Sequence, residues 1–142
     1  MIGLDTNILV RYLAQDDPHQ SKLANQLIEH AVETGTLLWI CQITLCETVW
    51  VLKKCYKMSK QEIIYILQEL LQIPQIKVEH DDATWIALKE FETNKEVGFA
   101  DCLIGRQNIQ SGCVITYTFD KAAASACPTI YEALTPKLTL RK

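Results

Sequence analysis

Apolar and polar residues alternate along the chain in blocks that switch between the period of a strand and that of a helix. Short apolar runs bounded by polar or turn residues indicate buried strands, and they are spread over the whole length of the chain. The strands are predicted at Ile2–Leu4, Thr36–Cys41, Ile76–Glu79 and Cys113–Tyr117, with a less clearly marked one near Thr129–Ile130.

Segments with apolar residues three and four positions apart separate these runs and predict helices. Ser59 and Glu62 have the spacing of a capping box, and Pro74 stops the helix that they open. Strands that alternate with helices predict a parallel sheet covered on both faces. The helices are predicted from about Asn7 to Leu13, through Leu23 to near Gly35, through Leu45 to Tyr56, from Ser59 to Pro74, from Asp81 or Asp82 through Phe91, and from about Ala100 to Gln110.

Length and charge narrow the classes of protein to be considered. A chain of 142 residues fits one domain, which we expect to span residues 1–142. The formal net charge of -3 argues against binding of nucleic acid mainly through a broad basic surface. No secretory leader or membrane span is evident, so we expect a cytoplasmic protein.

The six cysteines are predicted to be reduced thiols. No pair has the C-x-x-C spacing of a zinc site, and the residues are widely spread. Cys41 and Cys113 fall inside predicted strands, where we expect a thiol to act as a small core residue.

Four acidic residues are predicted to meet at one edge of the sheet. Asp5 ends the first strand, and Asp120 follows the strand Cys113–Tyr117. Glu47 lies near the start of the helix that follows a strand, and Asp101 opens the helix that leads to the next one. In an open α/β sheet, ligands bind at the carboxyl ends of the strands. Two carboxylates about 4 Å apart repel by about 4 kcal/mol at an effective dielectric near 20, so a shared divalent cation is expected. Mg²⁺ or Mn²⁺ with carboxylate ligands is typical of phosphodiester hydrolysis.

Each acid also has a purely structural interpretation. Asp5 can cap the helix that follows it, Thr44 and Glu47 match a capping box, and Asp101 in a first turn complements the helix dipole. Asp120 can be an ordinary turn residue. The metal hypothesis therefore depends on the four residues lying together.

The segments around these acids resemble a known family. The opening Ile2–Leu9 is similar to the first strand and loop of PIN-domain proteins, especially VapC-type toxins of bacterial toxin–antitoxin pairs. Ile43–Glu47, Phe99–Ile104 and Thr116–Lys121 resemble the segments that carry the family's second, third and fourth acids. The order and spacing agree across essentially the whole chain, but the run after Asp120 departs from the family pattern.

The resemblance implies a three-layer α/β/α domain with a central, mostly parallel five-stranded sheet, and an endoribonuclease that uses Mg²⁺ or Mn²⁺. It implies that Asp5, Glu47, Asp101 and Asp120 are metal ligands or water-orienting groups. Asn7 and Thr118 would support them. In such toxins a homodimer is common, and a cognate antitoxin blocks the active site, so both partners are expected here beside the RNA substrate.

Cationic side chains are candidates for holding RNA phosphates. A solvated helix end is an equally good interpretation of the lysines. The candidates are Lys53, Lys54, Lys57 and Lys60 around one helix junction, with Arg11 and Arg106 elsewhere.

Three other functions compete. A haloacid-dehalogenase-type phosphatase needs a second Asp two residues after the first, and Asn7 stands there. A response-regulator receiver domain needs acids around a phosphoacceptor after a third strand, which this pattern lacks. A catalytically silent RNA- or protein-binding module with the same fold remains as the alternative of a different class.

Overall fold

Helices and short strands alternate along the protein, as its hydrophobic pattern predicts. The structure is a computed structural model that describes residues 1–137 and 141. It divides into two compact units, Met1–Asp81 and Asp82–Lys142. The single domain over residues 1–142 stays a prediction.

The first unit contains a three-stranded parallel sheet with the strand order β1-β2-β3. In its register Ile2 pairs with Leu38, and Leu38 with Ile76. Its elements are β1 (Ile2–Gly3), α1 (Thr6–Ala14), α2 (Pro18–Thr34), β2 (Leu38–Ile40), α3 (Gln42–Lys54), α4 (Lys60–Leu71) and β3 (Ile76–Val78).

Local capping chemistry sets the helix ends in this unit. Ser59 and Glu62 form the predicted capping box at the start of α4. Asp17 caps α2 through a bond from the Gln20 N–H, and Pro18 occupies the first helical position. Gly35 ends α2 with a φ of 68°, a left-handed conformation that glycine adopts without steric cost. The capping box of α4 and the end of α2 at Gly35 confirm the sequence prediction.

The core of the first unit forms around its central strand. Leu38 and Ile40 of β2 have no exposed surface, as expected for a strand with neighbours on both sides and helices against it. Apolar side chains from the helices are buried to a similar degree. The apolar helical residues of this unit with 1% exposure or less are Leu9, Leu45, Leu52, Ile63 and Leu67.

The second unit contains the other two strands. Strand β4 pairs with β5 in parallel, with Thr116 opposite Tyr131 and Thr118 opposite Ala133. All five described strands thus run parallel to their partners, and the predicted α/β class with parallel strands is confirmed. The elements are α5 (Asp81–Thr93), α6 (Phe99–Gln110), β4 (Thr116–Thr118), α7 (Lys121–Ala126) and β5 (Tyr131–Ala133).

Two strand predictions near the end of the chain are wrong in their bounds. Pairing of β4 begins only at Thr116, opposite Tyr131, so residues 113–115 lie outside the strand although they are apolar. Cys113 is exposed there and is not a core residue. The last strand is β5 rather than a segment near Thr129–Ile130. An apolar run predicts a strand, but pairing with the partner strand decides where the strand begins.

All six cysteines are free thiols in the structure. Cys41 is only half-buried, because it lies at the N-terminal boundary of α3 and not within β2. Among the described residues, no helix has the length and apolar character needed to cross a membrane.

A close contact in the second unit joins α6 to β5. Gly105 is buried, and a Cβ atom at this position would overlap the side chains of Ile130 and Tyr131. The hydroxyl of Tyr131 donates to the backbone oxygen of Asp101 at 2.7 Å. Burial is the main factor that raises the pKa of this phenol to about 12, so Tyr131 stays a hydrogen-bond donor at neutral pH.

We therefore expect Gly105→Ala to destabilise the protein by about 1–3 kcal/mol, because the added methyl overpacks this contact. The sign is informative, since replacing glycine by alanine inside an open helix normally stabilises it. Gly3→Ala, in β1, is the control for a methyl added without a close contact, because a Cβ at Gly3 meets no atom within 4 Å. Urea unfolding measures both variants, and a more stable Gly105→Ala protein would contradict the predicted contact.

Candidate active site

Two of the predicted acids lie together in the first unit. Asp5 follows β1 and is the N-cap of α1, where its Oδ1 accepts a bond from the Thr6 N–H at 2.8 Å. Glu47 lies on α3, which begins just after β2, and its Oε2 accepts a bond from the Thr6 hydroxyl at 2.5 Å. Because β1 and β2 are parallel neighbours, their carboxyl ends reach the same edge of the sheet. One threonine thus bonds to both carboxylates.

Thr6 is a site residue that the sequence analysis did not identify. The N-cap of α1 is Asp5, and Thr6 is the first residue of the helix. Its side chain is buried, with 9% exposure. The one signal in the sequence is a hydroxyl residue directly after the acid that ends the first strand. Its partner Glu47 is 41 residues away, so the contact cannot be inferred from a local pattern.

The structural interpretation of Glu47 as part of a capping box is wrong. The N-cap of α3 is Cys41, which makes no side-chain cap bond, and Glu47 is the sixth residue of the helix. The carboxylate of Glu79, just after β3, accepts the Gln42 N–H at 3.0 Å and so satisfies the start of α3. Glu47 is therefore not needed to cap its own helix.

Asp5 and Glu47 line one cavity of about 420 Å³, which is within the usual range for sites of small ligands. Both side chains are exposed to solvent. Asn7, predicted as a supporting residue, lines the same cavity, and Arg11 and Tyr56 contribute a cation and a phenol to it. The remaining lining residues are Thr6, Val10, Val51 and Cys55.

Asp101 lies in the second unit, in the first turn of α6. The N-cap residue, Gly98, has no side chain to offer, and a Cβ built on it would lie 3.4 Å from Oδ2 of Asp101. The carboxylate thus lies over the start of the helix, where the macrodipole favours a negative charge. Tyr131 fixes the backbone of this residue from the side of β5.

Asp120 is the N-cap of α7, and its Oδ1 accepts a bond from the Ala123 N–H at 3.0 Å. Thr118, the last residue of β4, accepts a bond from the Asp120 N–H through its hydroxyl oxygen at 2.9 Å. The predicted supporting role of Thr118 thus has a physical basis, since it orients the turn that carries Asp120. Asp120 is thus a helix N-cap rather than an ordinary turn residue, and its side chain is exposed.

The donor atoms of the first unit fit a hard divalent cation. Asp5 and Glu47 each use one carboxylate oxygen to bond Thr6, and their other oxygens, Oδ2 and Oε1, accept no hydrogen bond from the described residues. Mg²⁺ typically binds one or two carboxylates and keeps several waters. Among residues 1–137 and 141, no three His, Cys, Asp or Glu side chains form a group that could hold a metal ion. The sharing of one site by all four acids, Asp101 and Asp120 included, stays a prediction.

The predicted cationic residues differ in their surroundings. Arg106 is committed to an ion pair in the second unit, where its Nε donates to Oε1 of Glu90 at 2.7 Å. The main effect on its pKa is this hydrogen bond, which raises it. The four predicted lysines lie between the last turn of α3 and the first residue of α4: Lys53, Lys54, Lys57 and Lys60.

Comparison with known families agrees with this architecture. The family model of the PIN domain, a nuclease-type fold, matches residues 2–127. A search of curated proteins finds no match to the chain. The matched range contains β1 to α7 and all four predicted acids. The chain belongs to the PIN domain family.

Proposed function

We propose that this protein is a Mg²⁺- or Mn²⁺-dependent endoribonuclease that hydrolyses RNA phosphodiester bonds. The observation that carries the proposal is the pair of carboxylates, Asp5 and Glu47, bonded to one buried threonine at the edge of a parallel sheet. Membership of a family with a nuclease-type fold supports it. Asp101 and Asp120 complete the proposed set of ligands or water-orienting groups.

The proposed cation explains how acidic side chains can serve a polyanionic substrate. Bound Mg²⁺ or Mn²⁺ supplies a positive charge that attracts a phosphodiester, and it lowers the pKa of a coordinated water. Asp5 and Glu47 would hold the cation through the oxygens that Thr6 leaves open. Histidine and cysteine are not required for this chemistry.

The residues around the acids restrict their motion. The Thr6 hydroxyl orients the Glu47 carboxylate, and the Thr6 N–H orients that of Asp5. Hydrogen bonds of this kind fix the rotamer of a metal-binding carboxylate before the cation binds, and this lowers the conformational entropy lost on binding. Asn7 offers both donor and acceptor atoms to a substrate in the same cavity.

The biological role is proposed to be that of a toxin in a toxin–antitoxin pair, acting in the cytoplasm as a homodimer. The similarity of four ordered segments to VapC-type toxins supports this role. Large apolar side chains are exposed on α3 and α4, where a partner subunit or an antitoxin can cover them: Ile43, Trp50 and Tyr65 are 80%, 59% and 64% exposed.

Purified protein is expected to cleave single-stranded RNA with Mg²⁺ or Mn²⁺ and to lose that activity in EDTA. Asp101→Asn should lower the rate by at least about 100-fold, because it removes a proposed ligand. Glu92→Gln, which neutralises an exposed acid on α5, is the matched control and should keep full activity. Gel analysis of a mixed RNA panel measures this. No EDTA-sensitive cleavage across the panel would favour the silent binding module.

Thr6→Val should reduce kcat and Mn²⁺ affinity by about tenfold, because Glu47 loses the bond that orients it. Thr6→Ser keeps the hydroxyl and should restore most of both. Thr48→Val is a matched control, since Thr48 is also buried but its hydroxyl donates only to the Thr44 backbone oxygen of α3. If Thr6→Val lowers the melting temperature and leaves Mn²⁺ affinity unchanged, the contact with Glu47 is structural only.

Expression of the protein in a bacterium should slow growth if it acts as a toxin, and Asp101→Asn should relieve the defect at the same protein level. The reason is that RNA cleavage, and not the presence of the fold, would cause the defect. Growth curves with matched immunoblots measure the effect. Equal growth inhibition by the inactive variant would contradict a toxin that acts through cleavage.

A further inference from the structure

An arginine lies in the wall of the cavity that holds the two carboxylates. Arg11 is in the last turn of α1 and lines this cavity together with Asp5 and Glu47. Its side chain is 29% exposed, so it is partly enclosed and still reachable from solvent. The cavity is therefore lined by two carboxylates and one guanidinium.

Three polar side chains from different segments hold this guanidinium in place. Its Nε donates to Oε1 of Gln20 on α2 at 2.6 Å, and its Nη1 donates to the Tyr56 hydroxyl oxygen at 2.8 Å. Nη1 also lies 3.2 Å from Oδ1 of Asp16, and the Tyr56 hydroxyl donates to the same carboxylate at 2.7 Å. Partners on two sides of a planar group fix both its position and its plane.

The charges in this cluster persist at neutral pH. The hydrogen bond from Tyr56 is the main factor that lowers the pKa of Asp16, and Arg11 acts in the same direction. The same hydrogen bond raises the pKa of the Tyr56 phenol, which therefore remains protonated. Asp16 is thus an anion, Tyr56 a neutral donor and Arg11 a cation.

One nitrogen of the guanidinium remains available to donate to a ligand. Within the described residues, Nη2 of Arg11 donates no hydrogen bond, whereas Nε and Nη1 are both occupied. An ion pair that only joined Arg11 of α1 to Asp16, in the connection before α2, would stabilise the fold little at such an exposed position. An oriented guanidinium with an open nitrogen has the donor geometry that binds a phosphate.

We propose that Arg11 binds a backbone phosphate of single-stranded RNA, next to the phosphodiester cleaved at Asp5 and Glu47, with Gln20, Asp16 and Tyr56 as its positioning residues. The inference rests on the proposed ribonuclease function and names the substrate contact that it needs. A chain with net charge -3 repels RNA on average, so a fixed cation beside the carboxylates aligns the backbone locally.

The salt dependence of KM tests the contact. Arg11→Gln is expected to raise KM for a short oligoribonucleotide about tenfold without lowering kcat, because it removes a charged hydrogen bond made equally in the ground and transition states. The slope of log KM against log salt concentration should fall by about 0.7, the value for one phosphate on a single strand. Arg11→Lys keeps the charge and should keep most of the slope.

Lys22→Gln is the charge-matched control. Lys22 is exposed on α2, and two residues of helix place it on the side opposite Gln20. This variant should leave KM and the salt slope unchanged. If it shifts both as much as Arg11→Gln does, the effect is one of net charge and the assigned contact is wrong.

Tyr56→Phe separates positioning from a structural role. It keeps the ring but removes the hydroxyl that bonds Arg11 and Asp16. We expect a smaller rise in KM than for Arg11→Gln, with kcat and the salt slope retained because the cation is still present. A lower melting temperature in both variants with KM and salt slope unchanged would overturn the proposal, since the cluster would then only stabilise the fold.

Binding in EDTA distinguishes a failure of this inference from a failure of the proposed function. Fluorescence anisotropy of a labelled single-stranded oligoribonucleotide measures affinity without cleavage. Weaker binding and a lower slope for Arg11→Gln would support the phosphate contact even if the wild-type protein cleaved no RNA, in which case only the nuclease function would fail. If the wild-type protein cleaves RNA but binds it no more tightly than Arg11→Gln does, only the proposed Arg11–phosphate contact is wrong. If the wild-type protein neither binds nor cleaves RNA, both proposals are wrong.

Discussion

Repulsion between carboxylates is the constraint on which the account depends. Asp5 and Glu47 lie at one edge because β1 and β2 run in parallel, and Thr6 bonds to both of them. Two carboxylates drawn toward one residue repel each other, and hydrogen-bond donors or a cation offset that repulsion. The threonine supplies two donors, and the open oxygens are those that a divalent ion would take in the proposed site. The cavity then presents this pair beside a fixed guanidinium, Arg11.

Local chemistry explains what the sequence predicts well. The end of α2 follows from Gly35 and the start of α4 from Ser59 and Glu62, because caps and left-handed residues act over three or four positions. The apolar periodicity of the helices reflects burial of one helix face and can be read from a single sequence. The alternation of strands with helices likewise predicts that the strands are parallel. The positions of Asp5, Asp101 and Asp120 follow from the sequence because each lies at or near the start of a helix. Glu47 lies further along, in the second turn of α3.

Contacts between distant segments explain what the sequence does not show. The Thr6–Glu47 bond spans 41 residues and the Arg11–Tyr56 bond spans 45, so neither follows from a local pattern. The start of β4 was misplaced because its pairing with β5, rather than its apolar content, decides where the strand begins. The same limit applies to Glu47, whose spacing from Thr44 mimics a capping box although the helix begins earlier, after Cys41.

The most direct test of the central claim is calorimetric titration with Mn²⁺ of the wild-type protein and of four single variants, Asp5→Asn, Glu47→Gln, Asp101→Asn and Asp120→Asn. If the four carboxylates share a cation, each substitution should lower the affinity for Mn²⁺ by about tenfold or more. Unchanged affinity in Asp101→Asn and Asp120→Asn, with loss only in the other two, would contradict a site that all four residues form.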